Sequence, residues 1–438
     1  MFKTMLNAWK MADLRKKILF TFMIVIVFRI GSVVPAPFLD INALQNLMQE
    51  NSNNGMEFFS MIDMLSGGAF SQATLLAMGV SPYITASIII QLLTVAIPAL
   101  ERLAKEGEEG RKKIGAITRY VTVVLGLIQG TGYYFYLLNN RITIYRRGGK
   151  AVFTAFVIIL VFTAGSALMM WLGEQINKKG IGNGISILLF TGIVARLPAT
   201  LGNLIQYFKN GIDDPTGYGK NLIYVPLFVV LFLATIWVIV FMNDAERRIP
   251  IQYAKRVVGR KMYGGQSSHI PIKVALAGVM PIIFASSLLQ IPTMIRAYIK
   301  EPTGFWKWFF EVLTPGGWIY SILYFLLIIA FAYFYVTIQY NPIEMANNLR
   351  QNNGTIPGIR PGKPTSEFIS KILSKITLIG ALFLAVIAIL PIAYGAISRL
   401  PSMYIGGTSL IILVGVALET VKQMESQMMM RHYKGFLD

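Results

Sequence analysis

The chain has 438 residues, 55% of them apolar and only 14% charged, with a mean hydropathy of +0.57, which excludes a water-soluble core of that size. Forty Lys and Arg against 21 Asp and Glu give a formal charge of +19, and nearly uncharged membrane spans cannot carry it. The excess therefore lies in loops able to meet anionic lipid, RNA or an acidic partner, and the lack of cysteine removes disulfides, iron-sulfur clusters, thiolate zinc sites and cysteine nucleophiles.

Lys3, Lys10, Arg15, Lys16 and Lys17 precede the first apolar run, which ends in "GSVVPAPF" without a small-x-small cleavage site and reads as a retained span. The following segment, 38–71, holds Asp40, Glu50, Glu57 and Asp63 but no Lys or Arg, so the N-terminus lies inside. Within it, "FFSMIDMLSGGAFSQ" is apolar, broken by Gly67-Gly68 and too short to cross. It is either a re-entrant piece or an interfacial helix on the outer leaflet.

A helix needs about 20 apolar residues to cross roughly 30 Å of hydrocarbon. Ten runs qualify, at 18–35, 74–97, 115–137, 151–172, 184–206, 221–242, 272–295, 317–339, 370–391 and 406–424. An even count leaves both termini inside. Alternation then places 28 of the Lys and Arg inside and 11 outside, of which Arg141, Arg146, Arg147 and Lys150 crowd one short outer connection against the rule. The runs divide five and five near 206/207, as in an inverted repeat; that division rests on counting, since no similarity between the halves is evident by eye.

The second run, "GVSPYITASIIIQLL", carries Thr85, Ser87, Gln91 and Thr94; Ser87, Gln91 and Thr94 share one helical face that must meet another helix or water. The seventh, "VALAGVMPIIFASSLLQIP", repeats the recipe with Pro281 followed by Ser286, Ser287 and Gln290. Hydrogen-bond glue explains such a stripe, and so does a gate that opens at modest cost.

Two inside loops, 243–271 and 340–367, are far longer than a turn requires. The first, "ERRIPIQYAKRVVGRKMYGGQSSHIPIK", mixes Lys and Arg with alternating apolar residues around Gly264-Gly265 and predicts a basic β-hairpin. The second, containing "NNGTIPGIRPGKP", reads as turns. Ionisable residues within spans reduce to Arg29, with Glu174 and Glu419 toward span ends, and the two histidines, His269 and His432, fall in a loop and the tail. That set supports neither intramembrane hydrolysis nor an ion-coupled carrier, and no phosphate-binding loop is present to hydrolyse nucleotide.

Six blocks carry a resemblance across nearly the whole chain: "LLAMGVSPYITASIIIQLL", "KEGEEGRKKIGAITRY", "MWLGEQINKKGIGNGISILL", "QSSHIPIKVALAGVMPIIFASS", "NPIEMANNLRQNNGTIPGIRPG" and "GGTSLIILVGVALE". In order and position they resemble the SecY family of protein-translocation channels. The resemblance implies an all-α polytopic protein, ten transmembrane helices in two inverted five-helix halves, 1–206 and 207–438, around an hourglass pore. It implies a pore ring at Val80, Ile84, Ile185, Leu189, Ile283 and Ile412, with Val80 and Leu189 standing where other members often have isoleucine. A plug is implied at about 57–71, including Ser66, Gly67, Gly68, Ala69 and Phe70, which turns the re-entrant alternative into the expectation.

The second and seventh spans resemble the family's lateral gate, with Thr85, Ser87, Gln91 and Thr94 facing Ser286, Ser287 and Gln290. The basic loops resemble its docking surface for the ribosome or the SecA motor, at Arg247, Arg248, Lys255, Arg256, Arg260, Lys261 and Arg360. Implied partners are small SecE-like and SecG-like membrane subunits, the SecA ATPase, ribosomal RNA phosphates, signal sequences, nascent membrane proteins and anionic lipid. The location is the bacterial cytoplasmic membrane, with no cofactor, no metal and no catalytic residue. A secondary transporter for a small solute and a poreless scaffold are the rival readings.

Overall fold

The computed structural model describes residues 2–53, 63, 66–214, 219–253, 256–258, 261–263, 267–298, 304–313, 317–398 and 407–434. Its helices are α1 (Phe2–Lys10), α2 (Ala12–Gly31), α3 (Ile41–Asn53), α4 (Ser81–Ala96), α5 (Pro98–Lys105), α6 (Glu108–Asn139), α7 (Gly149–Lys179), α8 (Gly184–Asp213) and α9 (Asn221–Asp244). After four strands come α10 (Met280–Tyr298), α11 (Phe305–Val312), α12 (Trp318–Gln339), α13 (Pro342–Gln351), α14 (Lys363–Ser398) and α15 (Gly407–Lys434). Each of the ten apolar runs has its helix: α2, α4, α6 to α10, α12, α14 and α15. Among the described residues α6, α7, α8, α9, α12 and α14 are long and apolar enough to cross alone, and α4 qualifies jointly with α5, from which it bends by 101°.

Two helices begin later than their apolar runs. Residues 75–80 and 274–279 are turns, and α4 and α10 start only at Ser81 and Met280. The cause is local and the same in both. Gly79 and Gly278 adopt left-handed φ of +55° and +57°, and a proline, Pro82 or Pro281, opens the first helical turn. Aligned on these glycines, 79–91 (GVSPYITASIIIQ) and 278–290 (GVMPIIFASSLLQ) match at seven of thirteen positions, a repeat of one structural device in two places.

Each turn segment also rests on a glycine of a later helix. A Cβ on Gly165 of α7 would overlap the Leu75 carbonyl oxygen, and one on Gly380 of α14 would stand 2.6 Å from the Val274 oxygen. Close approach of backbone to helix is possible there only without a side chain. The first segment is further tied by Leu75 N–H to Val34 O (2.9 Å) and Ala36 N–H to Ala73 O (3.0 Å).

The basic loop forms the expected hairpin. Strands β1 (Glu246–Tyr253) and β4 (Ser267–Lys273) pair antiparallel, with β2 (Arg256–Val258) against β3 (Lys261–Tyr263) further along. The second long loop differs from expectation: it holds the helix α13 and a short strand, β5 (Gly354–Thr355), which adds to β1 in the order β4-β1-β5. Asn341 caps α13 by accepting from Ile343 and Glu344 N–H, with Pro342 at the first turn, so the helix had a sequence signal that the Gly and Pro further on obscured. Ile249, Ile251 and Ile272 of the sheet pack with Leu349, Ile356 and Leu373, joining both loops on one core.

The outer connection 138–150 pairs with the segment after α2, through Asp40 N–H to Ile142 O (3.0 Å) and Ile144 N–H to Phe38 O (3.1 Å). It therefore lies on the same face as the start of the segment after α2, which carries carboxylates but no Lys or Arg. Arg146 closes its own turn there, donating to the Arg141 carbonyl at 2.7 Å and the Thr143 carbonyl at 3.3 Å.

Candidate functional site: a pore constriction and its plug

Val80 and Ile84 of the α4 entry, Leu189 of α8, Ile282, Ile283, Ser286 and Ser287 of α10 and Ile412 of α15 converge on one cavity of about 50 Å³. Ser66, Met78, Gly79, Ser81 and Thr408 complete its wall. Ile84 and Ile283 occupy equivalent places in the repeated segments, so the repeat delivers one branched aliphatic side chain from each side. A space of this size holds a few water molecules at most, and its walls are mainly aliphatic, so it resists wetting and is shut to a polypeptide.

Five of the six expected ring residues meet here. Ile185 does not line this cavity; it packs on α7, where a Cβ on Gly173 would lie 2.5 Å from Ile185 Cδ1. Ile185 stands four residues before Leu189 in α8, one turn toward the helix start, and there the bare Gly173 draws it against α7.

Of the expected plug, residues 63 and 66–71 are described, and 57–62, 64 and 65 lie outside the described residues. Ser66 reaches the cavity wall. Ser66, Gly68, Ala69 and Phe70 are buried. Tyr133 of α6 donates its hydroxyl to the Phe70 carbonyl at 2.7 Å while their rings stack at 4.4 Å. Arg29 of α2 donates to the Gly67 carbonyl at 3.2 Å.

Three of the expected gate hydroxyls are satisfied locally. Thr85 donates to Ser81 O (3.0 Å), Thr94 to Gln91 O (2.7 Å) and Ser286 to Ile283 O (3.0 Å), each within its own helix. No hydrogen bond joins α4 to α10 among the described side chains; that of Gln290 lies outside them. Hydroxyls satisfied by the preceding turn are polar residues at no desolvation cost, so packing rather than hydrogen bonding holds this contact.

At the other end, Arg247 and Arg248 are exposed on β1, with Arg248 paired to Glu246 at 2.7 Å. Arg360 is exposed in a turn framed by Gly358 and Gly362 at φ +79° and +104°. Lys255 and Arg260 lie outside the described residues, and only the backbone of Arg256 and Lys261 is described. Glu174 pairs with Arg119 at 2.7 Å, tying α7 to α6, and Lys422 pairs with Asp244 at 2.7 Å.

Sequence reasoning missed Arg196. Alternation counted it with the outer loops, but it sits inside α8 and pairs with Asp63. The signal available was its place as the one charged residue of the run 184–206, where a charge is costly and points by default to function.

The sequence profile of the SecY family matches residues 74–421. The chain belongs to the SecY family. Protein translocase subunit SecY of Bacillus subtilis is 45% identical over 444 residues, covering 100% of both chains. Among solved structures, the one described as showing that the plug domain of the SecY protein stabilises the closed state and maintains a membrane seal has a TM-score of 0.65 at 17% identity, covering 94% of this chain and 92% of that one. Sec61 in the canine ribosome-channel complex gives 0.60 at 16%, with the same coverage. The architecture is thus the all-α SecY fold, ten spanning helices in two inverted halves, and the repeated entries to α4 and α10 are its visible trace in this chain.

Proposed function

We propose that the chain is the channel subunit of a bacterial Sec translocon. It passes unfolded secretory polypeptides across the cytoplasmic membrane and releases transmembrane segments sideways into lipid. The observation that carries this reading is the single aliphatic constriction fed by both repeated segments, with Ser66 of the plug against it. Val80, Ile84, Leu189, Ile283 and Ile412 form the ring, Ser66 to Phe70 belong to the plug, and halves 1–206 and 207–438 part between α4 and α10. Because the described gate side chains make no hydrogen bond across that contact, an apolar signal helix competes with packing alone.

The cytoplasmic sheet, with Arg247, Arg248 and Arg360 exposed, offers salt-sensitive contacts to ribosomal RNA phosphates or a shaped site for the SecA motor. SecE-like and SecG-like subunits, anionic lipid and cytoplasmic termini complete the assignment. The chain supplies no energy itself and acts without catalysis. A solute carrier is disfavoured because the described residues lining the constriction include no carboxylate and enclose only about 50 Å³.

Reconstituted vesicles test this. A preprotein supplied with motor and nucleotide is expected to become protease-protected, and Arg360→Glu to slow that protection severalfold with equal amounts of reconstituted protein. Saturable solute uptake without preprotein protection would support the carrier instead, and an unchanged rate in Arg360→Glu would remove that arginine from the docking surface.

A further inference from the structure

Two arginines inside spans, Arg29 of α2 and Arg196 of α8, turn toward one short stretch, residues 66–71. Arg196 Nη2 donates to Ser71 Oγ at 2.9 Å and pairs with the Asp63 carboxylate. That carboxylate also closes its own loop: Asp63 Oδ1 accepts from Ser71 N–H at 2.7 Å, while the Asp63 carbonyl accepts from Gly68 N–H at 2.8 Å and Ser66 Oγ at 3.1 Å. Asp63 thus shapes the segment and hands it to α8.

The backbone lies directly on that helix. A Cβ on Gly67 would stand 3.0 Å from Gly192 Cα, and one on Gly68 would stand 3.1 Å from the Arg196 guanidinium carbon, at φ values of +68° and +94° that already favour glycine. The side chains of Arg196 and Asp63 are 31% and 14% exposed, so the pair is shielded far more than a surface ion pair. Removing one partner strands the other charge, which is the costly event in such a setting.

We propose that Asp63 and Arg196 form an ionic latch that sets how strong a signal sequence must be before the plug leaves. They are positioning residues that determine the specificity of export, and the inference rests on the plug reading of residues 57–71. Displacing the plug removes the carboxylate from Arg196 and the carbonyl from Arg29 together, leaving two like charges converging on the space it vacated. The energy of that separation is the threshold an arriving signal helix must meet, and weakening the pair lowers it for every signal.

The test uses the full chain with its partners in membranes, a reporter whose signal core is interrupted by one charged residue, and ion conductance in planar bilayers. Asp63→Asn, which keeps the shape of the loop, and Arg196→Gln are each expected to raise export of the weak-signal reporter about tenfold and to increase conductance. Combining them is expected to add little, Arg196→Lys to stay near wild type, and the exchange Asp63→Lys with Arg196→Asp to restore selectivity in part. With residues 57–71 deleted, Arg196→Gln is expected to change nothing further.

If that deletion itself leaves conductance and selectivity unchanged, the plug reading fails. If the deletion relaxes both but the single variants match wild type, the latch alone is overturned. A further effect of Arg196→Gln in the deleted chain, or single variants that relax selectivity without any rescue by the exchange, would also overturn it.

Discussion

Asparagine in place of Ile412 is expected to leak ions and to export reporters with defective signal sequences. Ile412 is 3% exposed, lines the constriction and belongs to the main core with Leu410, Ile411 and Val414. An amide placed there without a partner costs roughly 1–3 kcal/mol, and wetting the constriction or moving the plug relieves it. The closed population then falls by roughly 5- to 150-fold relative to open states, because the substitution acts on the equilibrium between them. Ile283→Asn is expected to act in the same direction from the opposite wall, while Ile412→Leu, which keeps volume and polarity, should behave as wild type. Conductance and weak-signal export, measured on the same preparations, check this; asparagine variants tight and selective in both would remove these residues from the seal.

Alanine at Gly165 is expected to cost more stability than any other glycine-to-alanine change in α7. The added Cβ overlaps the Leu75 carbonyl, which is backbone and has no rotamer with which to yield. Separating α7 from the 75–80 segment is expected to cost about 1–3 kcal/mol, in the range of overpacked cores, and to lower the unfolding temperature of the purified protein. Gly380→Ala, whose Cβ would stand 2.6 Å from the Val274 oxygen, is expected to show a smaller loss of the same kind. Gly115→Ala serves as the control, since a Cβ there meets nothing within 4 Å and alanine favours the helix. Equal unfolding temperatures for Gly165→Ala and Gly115→Ala would show that the α7 contact does not hold the α4 entry in place.

Apolar length alone located every spanning helix, because hydrocarbon thickness imposes one requirement on all of them. The hairpin in the first basic loop was legible because its alternation is a local signal, although the pairing reverses between Val258 and Lys261 rather than at Gly264-Gly265. What the residues alone do not reveal are properties set by contacts between segments. Ile185 and Leu189 lie one turn apart on α8, and the bare Gly173 gives Ile185 a seat against α7 while Leu189 lines the cavity. Polar residues at 85, 94 and 286 looked like partners across two helices, whereas each hydroxyl is satisfied one turn back in its own.

Arg196 was misread for a different reason. Alternation assigns it to the adjoining outer loop although it lies midway along the run 184–206, and nothing local reveals that its partner, Asp63, is far away in sequence. The repeat between 79–91 and 278–290 was present in the residues throughout, but it became plain only when Gly79 and Gly278 were found in the same unusual conformation at equivalent helix starts.

The most direct test of a protein-conducting constriction uses the natural absence of cysteine. Single cysteines at Ile84, Ile283 and, as a control, Val152, which is 72% exposed on α7, are combined with a secretory chain stalled in export and carrying one cysteine of its own. Disulfide crosslinks from Ile84→Cys and Ile283→Cys to the stalled chain, absent before engagement and absent throughout at Val152→Cys, are the predicted result. A chain that completes export on release yet never crosslinks to either ring position would contradict passage through this site.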